Sequence, residues 1–247
     1  MTFKILTDST ADLPESWTQE HDVQVLGLTI QLDGQTYETV GPDKLTSEQL
    51  LAKMESGSKP TTSQINVGQF EDVFRQYAQE GTAVLYVAFA SALSGTYQSA
   101  VMAREMVLED YPEAIITILD TKAASMGEGL LVMKAVEARA AGQSLEQTAD
   151  LLQSLVPRVQ TYFLVDDLNH LMRGGRISKA AALMGSLVNI KPIIAVTTDG
   201  SLDSVAKVRG KKKAQAEVVR MTLETISDPR VVVAYAGEKE VAENVKE

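Results

Sequence analysis

Short apolar runs rich in β-branched residues alternate along the chain with segments whose apolar positions recur every three or four residues. That alternation is the signature of an α/β protein assembled from crossover units. The runs Phe3–Leu6, Val23–Leu32, Ala83–Ala88, Ala114–Leu119, Tyr162–Val165, Ile190–Thr197 and Arg230–Tyr235 are expected as strands. Between them, Val67, Phe70, Phe74 and Tyr77 step at helical spacing, as do Ala100, Ala103 and Val107, so each set makes an apolar stripe able to cover a sheet. Thr46 with Gln49, and Ser144 with Gln147, have the spacing of a capping box that opens a helix, while Gly81 and Gly142 stand where helices should stop.

Two Asp-Gly pairs interrupt the crossover rhythm: Asp33-Gly34 between Gln31 and Tyr37, and Asp199-Gly200 between Ile193 and Val208. Asp-Gly between extended runs predicts a hairpin, so antiparallel pairing is expected at both places. Helical periodicity stops at Val156-Pro157 and a different pattern begins. The expected architecture is therefore a two-domain α/β protein, with an N-terminal parallel-sheet, Rossmann-like domain over 1–156 and a C-terminal α/β domain with a mixed or antiparallel sheet over 157–247. The closing segment GEKEVAENVKE reads as a charged helix with no later strand to feed, so the second domain reads as short at its end.

Composition narrows the function classes. With 247 residues and 45% hydrophobic positions the chain can bury one large core or two modest ones. Cysteine is absent, which removes disulfides, thiolate metal sites and cysteine nucleophiles and fits a reducing cytoplasm. The net charge of −10 argues against a general affinity for nucleic acid or anionic membrane. The start MTFKILTDST lacks the pattern of a secretory signal, and the most apolar stretch, 187–196, is interrupted by Asn189, Lys191 and Pro192, so a cytoplasmic protein without a membrane span is expected.

Three segments concentrate hydroxyl groups at expected strand-to-helix junctions: Thr7-Asp8-Ser9-Thr10, Thr61-Thr62-Ser63-Gln64 and Ser91 to Thr96. A helix N-terminus presents free N–H donors that favour an anionic group, and loops at the C-terminal ends of parallel strands converge, so the first and third could share a ligand site. Helix capping would account for any one of them. Three together, one with Gly95 permitting close backbone approach, point to a site.

The stretches TDSTADLP, KPTTSQINVGQF, ALSGTYQSA, ILDTKAASMGEG, VDDLNHLMRGGRIS and GSLVNIKPIIAV resemble, in order and over nearly the whole chain, the motifs of the DegV family of bacterial fatty-acid-binding proteins. The resemblance implies a two-domain α/β fold that holds one long-chain fatty acid in an interior tunnel. It implies no catalytic residue, no metal and no cofactor. Some members act as the fatty-acid-binding subunit of fatty acid kinase, presenting the carboxyl group to a separate catalytic subunit that converts it to acyl phosphate for phospholipid synthesis. By motif, carboxylate binding falls on Thr62 and Ser94, with Ser63, Gly95 and Thr96 beside them, and contact with head group, phosphate or partner falls on Arg173, Arg176, Arg209 and Lys211. The partners implied are the fatty acid and the kinase subunit, with no nucleic acid and room for a transient membrane contact. Two departures stand out: Ala92 replaces a glycine usual in the serine loop, and the family's C-terminal His-x-Gly-x-Gly block does not occur in these residues.

Other residues admit more than one reading. Arg173-Gly174-Gly175-Arg176 offers two guanidinium forks on a glycine turn, or a helix stop with basic residues favoured by the macrodipole. Lys207, Arg209 and Lys211–Lys213 are a solvated face or a docking patch for kinase or acyl phosphate. Met126, Met133, Met172 and Met184, with Leu183, Leu187, Ile190, Ile193 and Ile194, suit a tunnel wall or an ordinary core equally, and His21 and His170 read as structural or surface groups. The competing function is a magnesium-dependent phosphatase or phosphotransferase using Asp8, Asp120, Asp166 and Asp167, all at or near expected strand C-terminal ends. TDST is not the Asp-x-Asp of a familiar phosphatase. A serine hydrolase lacks its nucleophile elbow, and a dinucleotide enzyme its glycine fingerprint.

Overall fold

The computed structural model describes residues 3–165, 168–178, 189–228, 230–237 and 239–246. The chain divides into two compact units, Met1–Val159 and Gln160–Glu247.

In the first unit, β1 (Lys4–Asp8), β2 (Val23–Leu26), β6 (Val84–Ala88) and β7 (Ile116–Asp120) form a wholly parallel sheet in the order β2-β1-β6-β7. Successive side chains point to opposite faces of a strand, which splits the core in two. On one face Leu6, Val84 and Tyr86 meet Phe70 and Phe74 of α3 (Val67–Gln79) and Ala100, Ala103 and Val107 of α4 (Thr96–Asp110). On the other, Ile5, Leu85 and Val87 meet Leu131, Val132 and Ala135 of α5 (Met126–Ala140) and Leu152 of α6 (Leu145–Leu155), with Trp17 of α1 (Glu15–Glu20) packed alongside. Sheet strands covered on both sides must be apolar at every position, and β6 is buried throughout. Phe70 and Phe74 are fully buried, as the helical stripe required.

Local signals fixed several boundaries. The capping boxes of Thr46 with Gln49, opening α2 (Ser47–Glu55), and of Ser144 with Gln147 both form, and Asn66 with Gln69 makes a third. Gly81 and Gly142 end α3 and α5 with φ of 65° and 80°, in the left-handed region that glycine reaches without strain. The first hairpin joins β3 (Thr29–Leu32) to β4 (Gln35–Glu38) through Asp33 and Gly34, both at positive φ as a type I′ turn demands.

Two expectations for this unit are corrected. The run Val23–Leu32 is two strands in different sheets: the chain breaks at Gly27-Leu28, where a Cβ on Gly27 would lie 2.6 Å from a Val40 methyl carbon. There the Leu28 N–H donates to Ser9 Oγ and the Leu28 carbonyl accepts from Thr39 Oγ1, so side chains replace the ladder. The hydroxyl-rich Thr61-Thr62-Ser63 is a strand rather than a loop, β5 (Thr61–Ser63), added antiparallel to β3 with Thr62 opposite Ile30.

The second unit is built on an antiparallel sheet, β10-β9-β8, of β8 (Tyr162–Phe163), β9 (Ile190–Val196) and β10 (Leu202–Arg209), with the Asp199-Gly200 turn between β9 and β10 as expected. Helix α7 (Asn169–Arg173) leads into the Gly174-Gly175 turn, α8 (Lys211–Thr225) lies against β9 and β10, and α9 (Lys239–Lys246) follows. Leu168, Ile177 and Ile194 form the centre of its core. The expected strand Arg230–Tyr235 does not form: no strand among the described residues pairs with it, and Val231, Val232, Val233 and Tyr235 are exposed. A run of valines has strand propensity, but a strand exists only where a neighbour takes up its backbone hydrogen bonds. Met184, Leu183, Leu187, Asp166 and Asp167 lie outside the described residues.

Candidate functional site

The C-terminal end of the parallel sheet gathers the three hydroxyl-rich segments, and each has a distinct place. TDST is spent on the scaffold. Thr7 Oγ1 lies 3.0 Å from both the Val87 carbonyl and Glu128 Oε1, and Thr10 Oγ1 lies 2.5 Å from Asp8 Oδ1 and 2.8 Å from Glu128 Oε2. Ser9 Oγ accepts from Leu28 N–H and lies 2.8 Å from Thr39 Oγ1. Asp8 is fully buried and accepts from the Tyr86 hydroxyl at 2.7 Å, the Phe89 N–H at 3.2 Å and the Thr10 N–H at 3.1 Å.

Through Phe89, Asp8 grips the first residue of the Ser94 loop. Asp120 holds the same loop further on, accepting from Ser91 N–H and Ser91 Oγ. Ala90 ties it down again: its N–H donates to the Ala123 carbonyl, and its own carbonyl accepts from the Leu93 and Ser94 N–H groups. The two described aspartates of the metal reading thus serve as loop anchors, and among the described residues no group of three or more His, Asp and Glu gathers that could hold a metal ion. Ala92 is exposed and outside the positive-φ region, so nothing in its backbone calls for the usual glycine.

The second and third segments are stitched to each other. Ile65 N–H donates to Thr96 Oγ1, and Gln64 Nε2 donates to Ser99 Oγ at 2.9 Å. Gln64 crosses directly over Gly95, where a Cβ would sit 2.1 Å from Gln64 Oε1. A side chain at Gly95 would displace Gln64 from its bond to Ser99, while the backbone there is at an ordinary φ of −72°. Ser94 Oγ accepts from the Thr96 N–H at the start of α4 and lies 2.9 Å from Thr96 Oγ1. Thr96 is fully buried, Ser94 half-buried, and Thr62 and Ser63 are exposed on β5, on opposite faces because they are consecutive in a strand.

The cations named from sequence belong to the second unit. Arg173 closes α7 with a nitrogen 2.6 Å from His170 Nδ1, and Arg176 donates to the Gly174 carbonyl beyond a Gly175 at φ 75°. Arg209 occupies an outward position of β10, whose Leu202, Ser204, Ala206 and Val208 face inward, and Lys211–Lys213 open α8 on exposed positions. In the first unit His21 is engaged structurally, stacked on Trp17 with ring centroids 4.4 Å apart and bonded to the Trp17 carbonyl.

Sequence reasoning missed Glu128. It is fully buried in the first turn of α5, and burial first, then the neighbouring Asp8 charge, pushes its carboxyl well above the ordinary range. The available signal was a lone acid inside Met126-Gly127-Glu128-Gly129-Leu130-Leu131, a segment otherwise without charge. Gly129 makes the approach possible, since a Cβ there would lie 2.7 Å from the Ala11 carbonyl.

Fold and loops together define the class: a doubly wound α/β unit with a hydroxyl-bearing loop cluster at the carboxyl ends of its strands, followed by a smaller antiparallel α/β unit carrying exposed cations. The chain belongs to the DegV family, whose model, described as "Uncharacterised protein, DegV family", matches residues 2–247. A DegV domain-containing protein of Streptococcus pyogenes serotype M1 is 53% identical over 247 residues, covering 100% of this chain and 86% of its own length. Among solved structures, a fatty-acid-binding DegV family protein from Thermus thermophilus superposes with a TM-score of 0.85 at 32% identity, covering 100% of this chain and 86% of its own. Another, described as a fatty acid binding DegV family protein from Streptococcus agalactiae, gives 0.84 at 30% identity, covering 99% and 86%. No helix among the described residues is long and apolar enough to cross a membrane.

Proposed function

We propose that this chain binds one long-chain fatty acid in an interior tunnel, with the carboxyl group met by Thr62 and Ser94 and the backbone shaped around it by Ser63, Gly95 and Thr96. The observation that carries this reading is the stitching of the Thr61–Gln64 segment to the Ser94 loop, Ile65 to Thr96 and Gln64 to Ser99, which joins two separate hydroxyl groups into one cluster. Thr96 Oγ1 accepts from Ile65 N–H, so its own proton can go to Ser94 Oγ, leaving the Ser94 proton to be donated outward. A carboxyl group leaving water requires such donors, because an unsatisfied polar group costs about 1–3 kcal/mol or more. The tail requires only apolar walls: roughly fifteen methylenes at about 0.8 kcal/mol each give about 12 kcal/mol gross, from which the costs of association and chain ordering are subtracted.

In the same reading the protein is a non-catalytic carrier without a cofactor, working in the cytoplasm. It presents the bound carboxyl to a partner kinase, and the acyl phosphate formed feeds phospholipid synthesis. Arg173, Arg176, Arg209 and Lys211 then contact the head group, the phosphate or the partner. Support comes from Lys211–Lys213 at the start of α8, where the helix dipole disfavours cations by a few tenths of a kcal/mol each, so helix stability does not explain their placement. Mass spectrometry of the purified protein, native and then denatured with organic extraction, tests the binding step. A stoichiometric adduct released as a fatty acid is expected. An unadorned mass that persists after incubation with mixed fatty acids overturns it.

A further inference from the structure

The buried acids beneath the Ser94 loop contain more hydrogen-bond contacts than their hydroxyl groups have protons. Thr7 Oγ1 has two acceptors in reach, the Val87 carbonyl and Glu128 Oε1. Thr10 Oγ1 also has two, Asp8 Oδ1 and Glu128 Oε2. Each threonine owns one hydroxyl proton and can satisfy one of the pair. Asp8 has three further donors in Tyr86 O–H, Phe89 N–H and Thr10 N–H. Among the described residues Glu128 has only the two contested hydroxyls, and Asp8 and Asp12, the charged groups that act on it, are both of its own sign.

We infer that Glu128 is held as a neutral acid whose Oε2–H donates to Thr10 Oγ1, and that it thereby acts as a positioning residue for the Ser94 loop. With that proton in place the chain of donors closes. Glu128 donates to Thr10, Thr10 donates to Asp8, and Asp8 remains the acceptor that fixes Phe89 N–H and with it the loop leading to Ser94. An ionised Glu128 would compete with Asp8 for the Thr10 proton and set two fully buried carboxylates against one hydroxyl. Burial raises the Glu128 carboxyl despite its place in the first turn of α5, where the helix dipole favours the anion. The effect on the ligand rests on the head-group reading above, whereas the location of the proton does not.

The test reads the two parts separately. Infrared spectra of the full chain at neutral pH, compared with Glu128→Gln, are expected to show a protonated-carboxyl carbonyl band that the variant lacks. Amide exchange at Phe89–Gly95 follows the loop without any ligand. Thr10→Val cuts the donor chain and should speed exchange there about tenfold, the equivalent of one lost hydrogen bond, while Glu128→Gln, whose amide can donate to Thr10 as the acid does, should keep the parent rate. The absence of the band, its persistence in Glu128→Gln, or Glu128→Gln exchanging as fast as Thr10→Val overturns the inference. Fatty-acid retention measured on the same proteins should fall in Thr10→Val and stay at the parent level in Glu128→Gln. A parent protein that retains none overturns the head-group reading and leaves the spectra to decide the proton.

Discussion

The two units carry their charge in opposite ways. At the end of the parallel sheet, the carboxyl groups of Asp8 and Glu128 are fully buried and are held at short range by Tyr86, Thr7 and Thr10. In the second unit, Arg173, Arg176, Arg209 and Lys211–Lys213 stand exposed on a glycine turn, an outward strand position and a helix start. A buried charge acts through fixed geometry at short range and is expensive to leave unpaired, whereas an exposed one acts through a field that salt screens. In the proposed function the first unit positions the carboxyl group of the ligand and the second supplies cations for an anionic partner.

The comparison breaks most visibly at Asp8. Asp8→Ala orphans Tyr86 O–H, Phe89 N–H and Thr10 N–H together, so a loss of about 3 kcal/mol or more is expected in denaturant unfolding. Gly129→Ala forces α5 off the Ala11 carbonyl, a backbone atom that cannot swing away, and should cost about 1–3 kcal/mol in the same measurement. For the proposed ligand, Thr62→Ala with Ser94→Ala removes two donors at about 1 kcal/mol each, an affinity loss of about thirtyfold read by titration of the delipidated protein.

Glu128 sharpens the contrast through pH. Its folded-state carboxyl is raised, so the native state binds the extra proton. The stability it contributes is complete below the unfolded value near 4.5 and is lost as pH rises through the raised folded value. Unfolding followed across that range should show stability falling with pH, and Glu128→Gln should flatten this part of the profile. The smallest effect on stability belongs to the exposed patch. Reversing Lys211, Lys212 and Lys213 to glutamate should change unfolding by no more than about 0.5 kcal/mol, because no buried group is disturbed, while abolishing the salt dependence of association with the proposed kinase subunit. Undiminished, salt-sensitive association in that variant would remove the patch from the docking surface.

Much of the architecture was legible because it is local. Periodicity placed α3 and α4 on the sheet, Asp33-Gly34 and Asp199-Gly200 set the hairpins, and the capping residues Thr46 and Ser144 marked their helices, since each signal acts within a few residues of itself. The motif order was enough to indicate the family. The sequence could not show that Val23–Leu32 divides between two sheets, because the break depends on Val40 crossing Gly27 and on Ser9 and Thr39 capturing the Leu28 backbone. Nor could it show that Arg230–Tyr235 pairs with no strand among the described residues, since propensity is a property of a segment and pairing a property of its neighbours. The functions of the acids were decided in the same way. Asp8 and Glu128 lie far apart in the chain and meet through Thr10 only because β1 and α5 pack with Gly129 against the Ala11 carbonyl. Residue types and local order came from the chain itself, whereas which carboxyl anchors a loop and which keeps a proton was set by burial and by the limited number of donors that tertiary packing leaves within reach.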